Sequence, residues 1–153
     1  MASRPDWQLI VTTGKSFELS DIDSASANIH VYRWVPQLDV LRRADLLITH
    51  GGFGTVKESI VSGVPMIVFP LMRDRDQFAC AERVVYHGLG ARGNIDDVSV
   101  SGIIQMIKSV GADDGYRKRV QAMRDRVVQE EQSDAISKVL DSCFKLAYSV
   151  AMS

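Results

Sequence analysis

His50-Gly51-Gly52-Phe53-Gly54-Thr55 joins an imidazole, three glycines and a hydroxyl between an apolar run and a helical one. At such a strand-to-helix turn the first backbone N–H groups of the helix are unpaired and carry the positive end of its dipole, which suits an anion. Glycine lets that anion approach the main chain closely. A diphosphate fits, with His50 donating a hydrogen bond and Thr55 adding its hydroxyl. A tight turn with Thr55 as a simple cap uses the same residues. Glu58 lies three positions after Thr55, on the same side of the helix and about one turn deeper. Its carboxylate there could accept from both hydroxyls of a ribose, or close a capping box with Thr55.

Trp34-Val35-Pro36-Gln37 follows a second apolar run. An indole at a strand edge can stack on a flat base while Gln37 supplies polar contacts; a core tryptophan is the plainer alternative. Met72-Arg73-Asp74-Arg75-Asp76-Gln77 follows the stop at Pro70 and should overhang the same sheet edge as His50. Acid and amide together accept from and donate to adjacent sugar hydroxyls. The same stretch also suits a solvated loop that caps the next helix through Asp74 or Asp76. Asp74-Arg75-Asp76 has acid-x-acid spacing, but no His or further acid stands near it in sequence, so no metal is expected.

These residues need a scaffold that delivers strand ends to one rim. Leu9-Ile10-Val11-Thr12-Thr13, Ile29-His30-Val31-Tyr32, Asp45-Leu46-Leu47-Ile48-Thr49 and Met66-Ile67-Val68-Phe69 read as strands, alternating with helical stretches at Thr55 to Ser62 and Gln77 to His87. Such alternation predicts an α/β fold with a mainly parallel sheet flanked by helices. The uninterrupted apolar runs at Leu46-Leu47-Ile48 and Met66 to Phe69 predict central strands, covered on both faces. Gly14, Gly51-Gly52, Gly63, Pro65, Pro70, Gly88 and Gly90 punctuate the run ends. Beyond Asn94 no further strand is evident. A helix should begin near Ser99 and stop before Gly111, Tyr116-Val120-Met123-Val127 repeats at helical spacing, and Ile136 to Ala147 carries another apolar stripe. Charges in Arg117 to Glu131 read as a solvated helix face.

The length of 153 residues suits a single domain, residues 1–153, with an α/β core at 1–94 and helices at 95–153. A net charge of -1 gives no reason to expect nucleic acid. The two cysteines, Cys80 and Cys143, stand far apart without metal-ligand spacing and point to a reducing, cytoplasmic setting. The longest apolar run, Val64 to Leu71, holds two prolines and is far short of the roughly 20 residues a membrane span needs.

Taken in order, Trp34-Val35-Pro36-Gln37 through Leu41, His50 to Glu58, Gly63-Val64-Pro65 and Asp76-Gln77 resemble the donor-binding signature of UDP-glycosyltransferases, nearest to the bacterial macrolide and antibiotic type. The resemblance implies a Rossmann-like C-terminal lobe of a two-lobed GT-B enzyme that transfers a hexose from a UDP-sugar to a hydroxylated acceptor with inversion. It further implies that Trp34 stacks on uracil, that Val35 and Gln37 hold base and ribose, and that Glu58 binds the ribose hydroxyls. His50, Gly52, Gly54 and Thr55 would hold the diphosphate, His50 stabilising the leaving group, and Asp76 and Gln77 would grip the sugar. Gly54 stands where plant members carry asparagine, and Thr55 where they carry serine. No cofactor or metal is implied beyond the donor.

The acceptor-binding lobe, with its catalytic histidine and acidic partner, and the first strand and helix of this lobe would lie before residue 1. The chain is therefore expected to be a fragment or truncated product, inactive alone and self-associating through exposed apolar surface. A non-catalytic nucleotide-sugar-binding module completed by a separate polypeptide is the second reading, and a UDP-sugar epimerase the third.

Overall fold

The structure is a computed structural model that describes residues 6–14, 27–71 and 76–132. Its elements are β1 (Leu9–Thr12), β2 (Ile29–Tyr32), α1 (Gln37–Leu41), β3 (Leu47–Thr49), α2 (Phe53–Ser62), β4 (Met66–Val68), α3 (Asp76–Tyr86), β5 (Gly90–Arg92), a 3-10 turn (Ile95–Asp97), α4 (Val100–Ala112) and α5 (Asp114–Gln132). β1 pairs with β2, and β3-β4-β5 form a second sheet; every pairing is parallel. In β4 every residue is buried, as its unbroken apolar sequence requires. Met66 and Val68 turn to a core shared with Val56 of α2, Cys80, Ala81 and Val84 of α3, and Val120 of α5. Ile67 turns the other way, with Phe69, onto Val110, Ile103, Met106 and Ile107 of α4. Strand alternation thus splits one apolar run between two helical layers, each large buried side chain contributing about 1.5–3 kcal/mol.

Not every expectation survives. The run Leu46-Leu47-Ile48 predicts a central strand, yet β3 borders its sheet among the described residues, and Ile48 is 40% exposed. β1 likewise alternates half-buried Leu9 and Val11 with exposed Ile10 and Thr12. Neither strand carries the charge, proline or bulge that usually blunts an edge.

β5 has no apolar run to announce it, being Gly-Ala-Arg. α1 is only five residues long, too short to show a period. α2 starts at Phe53 rather than Thr55 because the Gly52 carbonyl already accepts from Val56 N–H at 3.0 Å. α4 is capped by Ser99, whose Oγ accepts from Gly102 N–H at 3.1 Å, and it continues through Gly111 to Ala112 instead of stopping before it. The charged face of α5 is partly engaged: Arg119 Nε donates to Gly88 O beyond the end of α3, and Arg117 reaches Asp45 before β3. The stripe at Ile136 to Ala147 lies outside the described residues.

Candidate functional site

The chain leaves β2 through Arg33 and enters α1 at Gln37, so Trp34 to Pro36 sit beyond the carboxyl end of a parallel strand. Trp34 is 77% exposed, which removes the core-tryptophan alternative. Its indole lines a cleft of about 660 Å³ together with Val35, Gln37 and Glu58. Glu58 reaches the cleft from α2, and Gln37 Nε2 donates to its Oε2 at 2.7 Å. The capping box with Thr55 does not form, because α2 is capped at Gly52 with no side-chain bond. A flat aromatic face, an amide and a carboxylate therefore share one wall, suited to a planar ring joined to a hydroxylated one.

The second cluster surrounds the start of α2. Gly51 has φ of 85°, and a Cβ there would lie 2.5 Å from Val68 Cγ1 and 3.3 Å from Gln77 O. Both its backbone sign and its closeness to β4 and α3 demand glycine. Gly51 N–H donates to Thr49 Oγ1 at 3.2 Å, which fixes the turn out of β3. The His50 ring folds over Gly52, its Nε2 2.9 Å from where a Cβ would stand. Asp76, the first residue of α3, turns its Oδ2 to accept from Phe53 N–H at 3.3 Å, and Gln77 Oε1 accepts from Leu71 N–H at 3.0 Å. The first amide of α2 thus already faces a carboxylate, while Gly52 offers no side chain to cap those of Gly54 and Thr55.

The structure divides the positions singled out in the sequence into two groups. Trp34, Val35, Gln37 and Glu58 come together in the cleft; His50, Gly52, Gly54, Thr55, Asp76 and Gln77 gather at the glycine turn and do not line that cleft. α2 joins the groups, carrying the turn at its start and Glu58 five residues on, about 7.5 Å along the axis. Asp74 and Arg75, and with them the acid-x-acid spacing, lie outside the described residues.

Thr12, Gly14 and Arg33 also line the cleft and escaped the sequence reading. The signal for the first two was available: in open parallel sheets ligands gather at the carboxyl ends of strands, where Thr12 closes β1. Beneath the site, burial pushes the Cys80 thiol up, the Asp76 carboxylate adds to the rise, and Arg83 opposes it. Cys80 is accordingly a packing residue held as a thiol.

The model of the family described as UDP-glucoronosyl and UDP-glucosyl transferase matches residues 16–135. The chain is 31% identical over 139 residues to the NDP-glycosyltransferase YjiC of Bacillus subtilis (strain 168), an alignment covering 91% of this chain and 35% of that protein. It is 27% identical over 126 residues to the oleandomycin glycosyltransferase of Streptomyces antibioticus, covering 82% and 29% respectively. Among solved structures the glycotransferase of kitacinnamycin matches with a TM-score of 0.83 at 31% identity, over 92% of this chain and 36% of that one. The chain spans about a third of the length of these proteins.

Proposed function

Since this chain belongs to the UDP-glucoronosyl and UDP-glucosyl transferase family, we propose that it binds the nucleotide-sugar donor of a glycosyltransferase through the rim formed by its cleft and its glycine turn. The parallel α/β sandwich is that of a GT-B lobe. Trp34 stacks on the base, Val35 borders it, and Glu58, held by Gln37, receives the ribose. Gly52, Gly54 and Thr55 face the diphosphate with their amides, and His50 stabilises the charge that develops on the leaving phosphate. Asp76 and Gln77 exchange their present main-chain partners for the hydroxyls of a hexose. Hexosyl transfer to a hydroxylated acceptor needs a base that deprotonates the acceptor. In this reading His50 serves the donor's phosphate and no residue of the chain is assigned as that base, so the chain alone binds donor without appreciable turnover.

The observation carrying this reading is the pairing of an indole 77% open to solvent with the Gln37–Glu58 hydrogen bond across one cleft. Isothermal titration with UDP tests it. Trp34→Ala is expected to weaken UDP about tenfold, within the ~1–3 kcal/mol of a base–aromatic stack. Its melting curve should not move, since the exposed ring packs little of the fold. Unchanged affinity in a folded variant would remove the base site. The non-catalytic module reading shares this donor site and differs in the complete protein, where absence of sugar transfer despite tight donor binding would favour it.

A further inference from the structure

α2 begins without a carboxylate of its own: its first turn holds no acidic residue, and Gly52 before it has no side chain to offer. The counter-charge comes instead from α3, where Asp76 Oδ2 accepts from Phe53 N–H at 3.3 Å. Main chain holds the two helix starts close. A Cβ on Gly51 would stand 3.3 Å from Gln77 O, and Gln77 Oε1 in turn accepts from Leu71 N–H at 3.0 Å. The backbone of Asp76 is therefore pinned beside the glycine turn, and what can swing away is its exposed side chain. On the donor-site reading above, that carboxylate stands where a diphosphate must approach, one anion meeting another at the same positive helix end.

We infer that Asp76 is an internal competitor for the diphosphate: its carboxylate occupies the first amide of α2 in the empty site, and so weakens the hold on UDP that has lost its sugar. A hexose brings hydroxyls that draw the carboxylate off that amide, since a hydroxyl donates to it as an N–H does. UDP alone brings none. Its phosphates must displace Asp76 and then stand beside a like charge that has no new partner. The contact thus favours the complete donor over the nucleotide left after transfer, and most of that difference falls in the rate at which the nucleotide departs.

The experiment is isothermal titration of the full 153-residue chain with UDP, set against Asp76→Asn, which keeps the shape and removes the charge, and Asp76→Ala, which empties the position. Both variants are expected to bind UDP about fivefold more tightly than the unaltered chain, the fold equivalent of one charge at a helix start. Uridine, followed by NMR titration, carries no phosphate and should behave alike in all three proteins. UDP-glucose, whose hydroxyls lose a charged acceptor in either variant, should gain less than UDP; equal gains overturn the inference. A merely structural role for Asp76 would move uridine and UDP together, which overturns it too. So does a UDP affinity that rises less than about twofold, or falls, in a variant whose dichroism spectrum matches the parent. If UDP binds none of the three proteins, it is the donor-site reading that has failed, and the inference goes with it.

Discussion

Gly90→Val is expected to leave the chain without a cooperative thermal transition. A Cβ at position 90 is driven into the backbone carbonyl of Met66, the residue it pairs with in the parallel ladder of β4 and β5. The obstacle is main chain in the most deeply buried strand of the fold, so no side-chain rotation relieves it. Separation of β5 from β4 would expose the layer that Leu89 and Met66 close with α3. A loss of about 3 kcal/mol or more follows from overpacking at such a point, against a total of roughly 5–15 kcal/mol for an ordinary domain. Gly54→Ala is the matched control: a Cβ there meets nothing within 4 Å, on the first turn of α2. It should hold or raise the melting temperature, since alanine favours a helix over glycine by about 0.5–1 kcal/mol. Circular dichroism melts of the two variants side by side decide the matter; a valine variant that melts with the parent would mean that β5 is not seated against β4.

The largest effect on binding should come from Glu58→Ala, with UDP affinity reduced about thirtyfold or more, as expected for loss of a hydrogen bond to an ionised group. Glu58 is half-buried on the cleft side of α2, and alanine is a good helix former, so folding should persist. The amide of Gln37 loses its acceptor but stands beside an open cleft, where water replaces it. Glu58→Gln keeps the shape and removes the charge, and its loss should fall between parent and alanine. A titration in which Glu58→Ala binds UDP as the parent does, with an unaltered dichroism spectrum, would take the ribose away from this wall of the cleft.

How much of this could be read without coordinates depended on the length over which each signal accumulates. β4 was legible because four consecutive large apolar residues admit few other roles, and α5 because Tyr116, Val120, Met123 and Val127 repeat through several turns. β5 was hidden because three residues of Gly-Ala-Arg carry no pattern; its reason for existing is the close approach to Met66, a fact of space and not of order. At the site, Trp34, Gln37, His50, Glu58, Asp76 and Gln77 could be singled out by type and spacing. Their present partners could not. Nothing in the sequence says that Gln37 spends its amide on Glu58, twenty-one positions away, or that Asp76 answers Phe53 N–H across twenty-three. The first contact joins α1 to α2 and the second joins the starts of α2 and α3, pairings that local propensity does not encode. Thr12 and Gly14 had a signal, the carboxyl end of β1, but its place beside the cleft is set by the pairing of β1 with β2 and not by the residues themselves.

Among the described residues nothing pairs with the outer border of β3, and that turns one proton into a reporter. Leu47 N–H donates to Pro65 O and Thr49 O accepts from Phe69 N–H, so residues 47 and 49 direct their main chain toward β4, while Ile48 between them directs its own outward. In deuterated solvent neighbouring amides of a three-residue strand will therefore keep separate clocks, slow at 47 and fast at 48. Any polypeptide that came to lie along that border would stop the fast clock first, announcing itself in the isotope label of Ile48 before it altered shape, spectrum or activity.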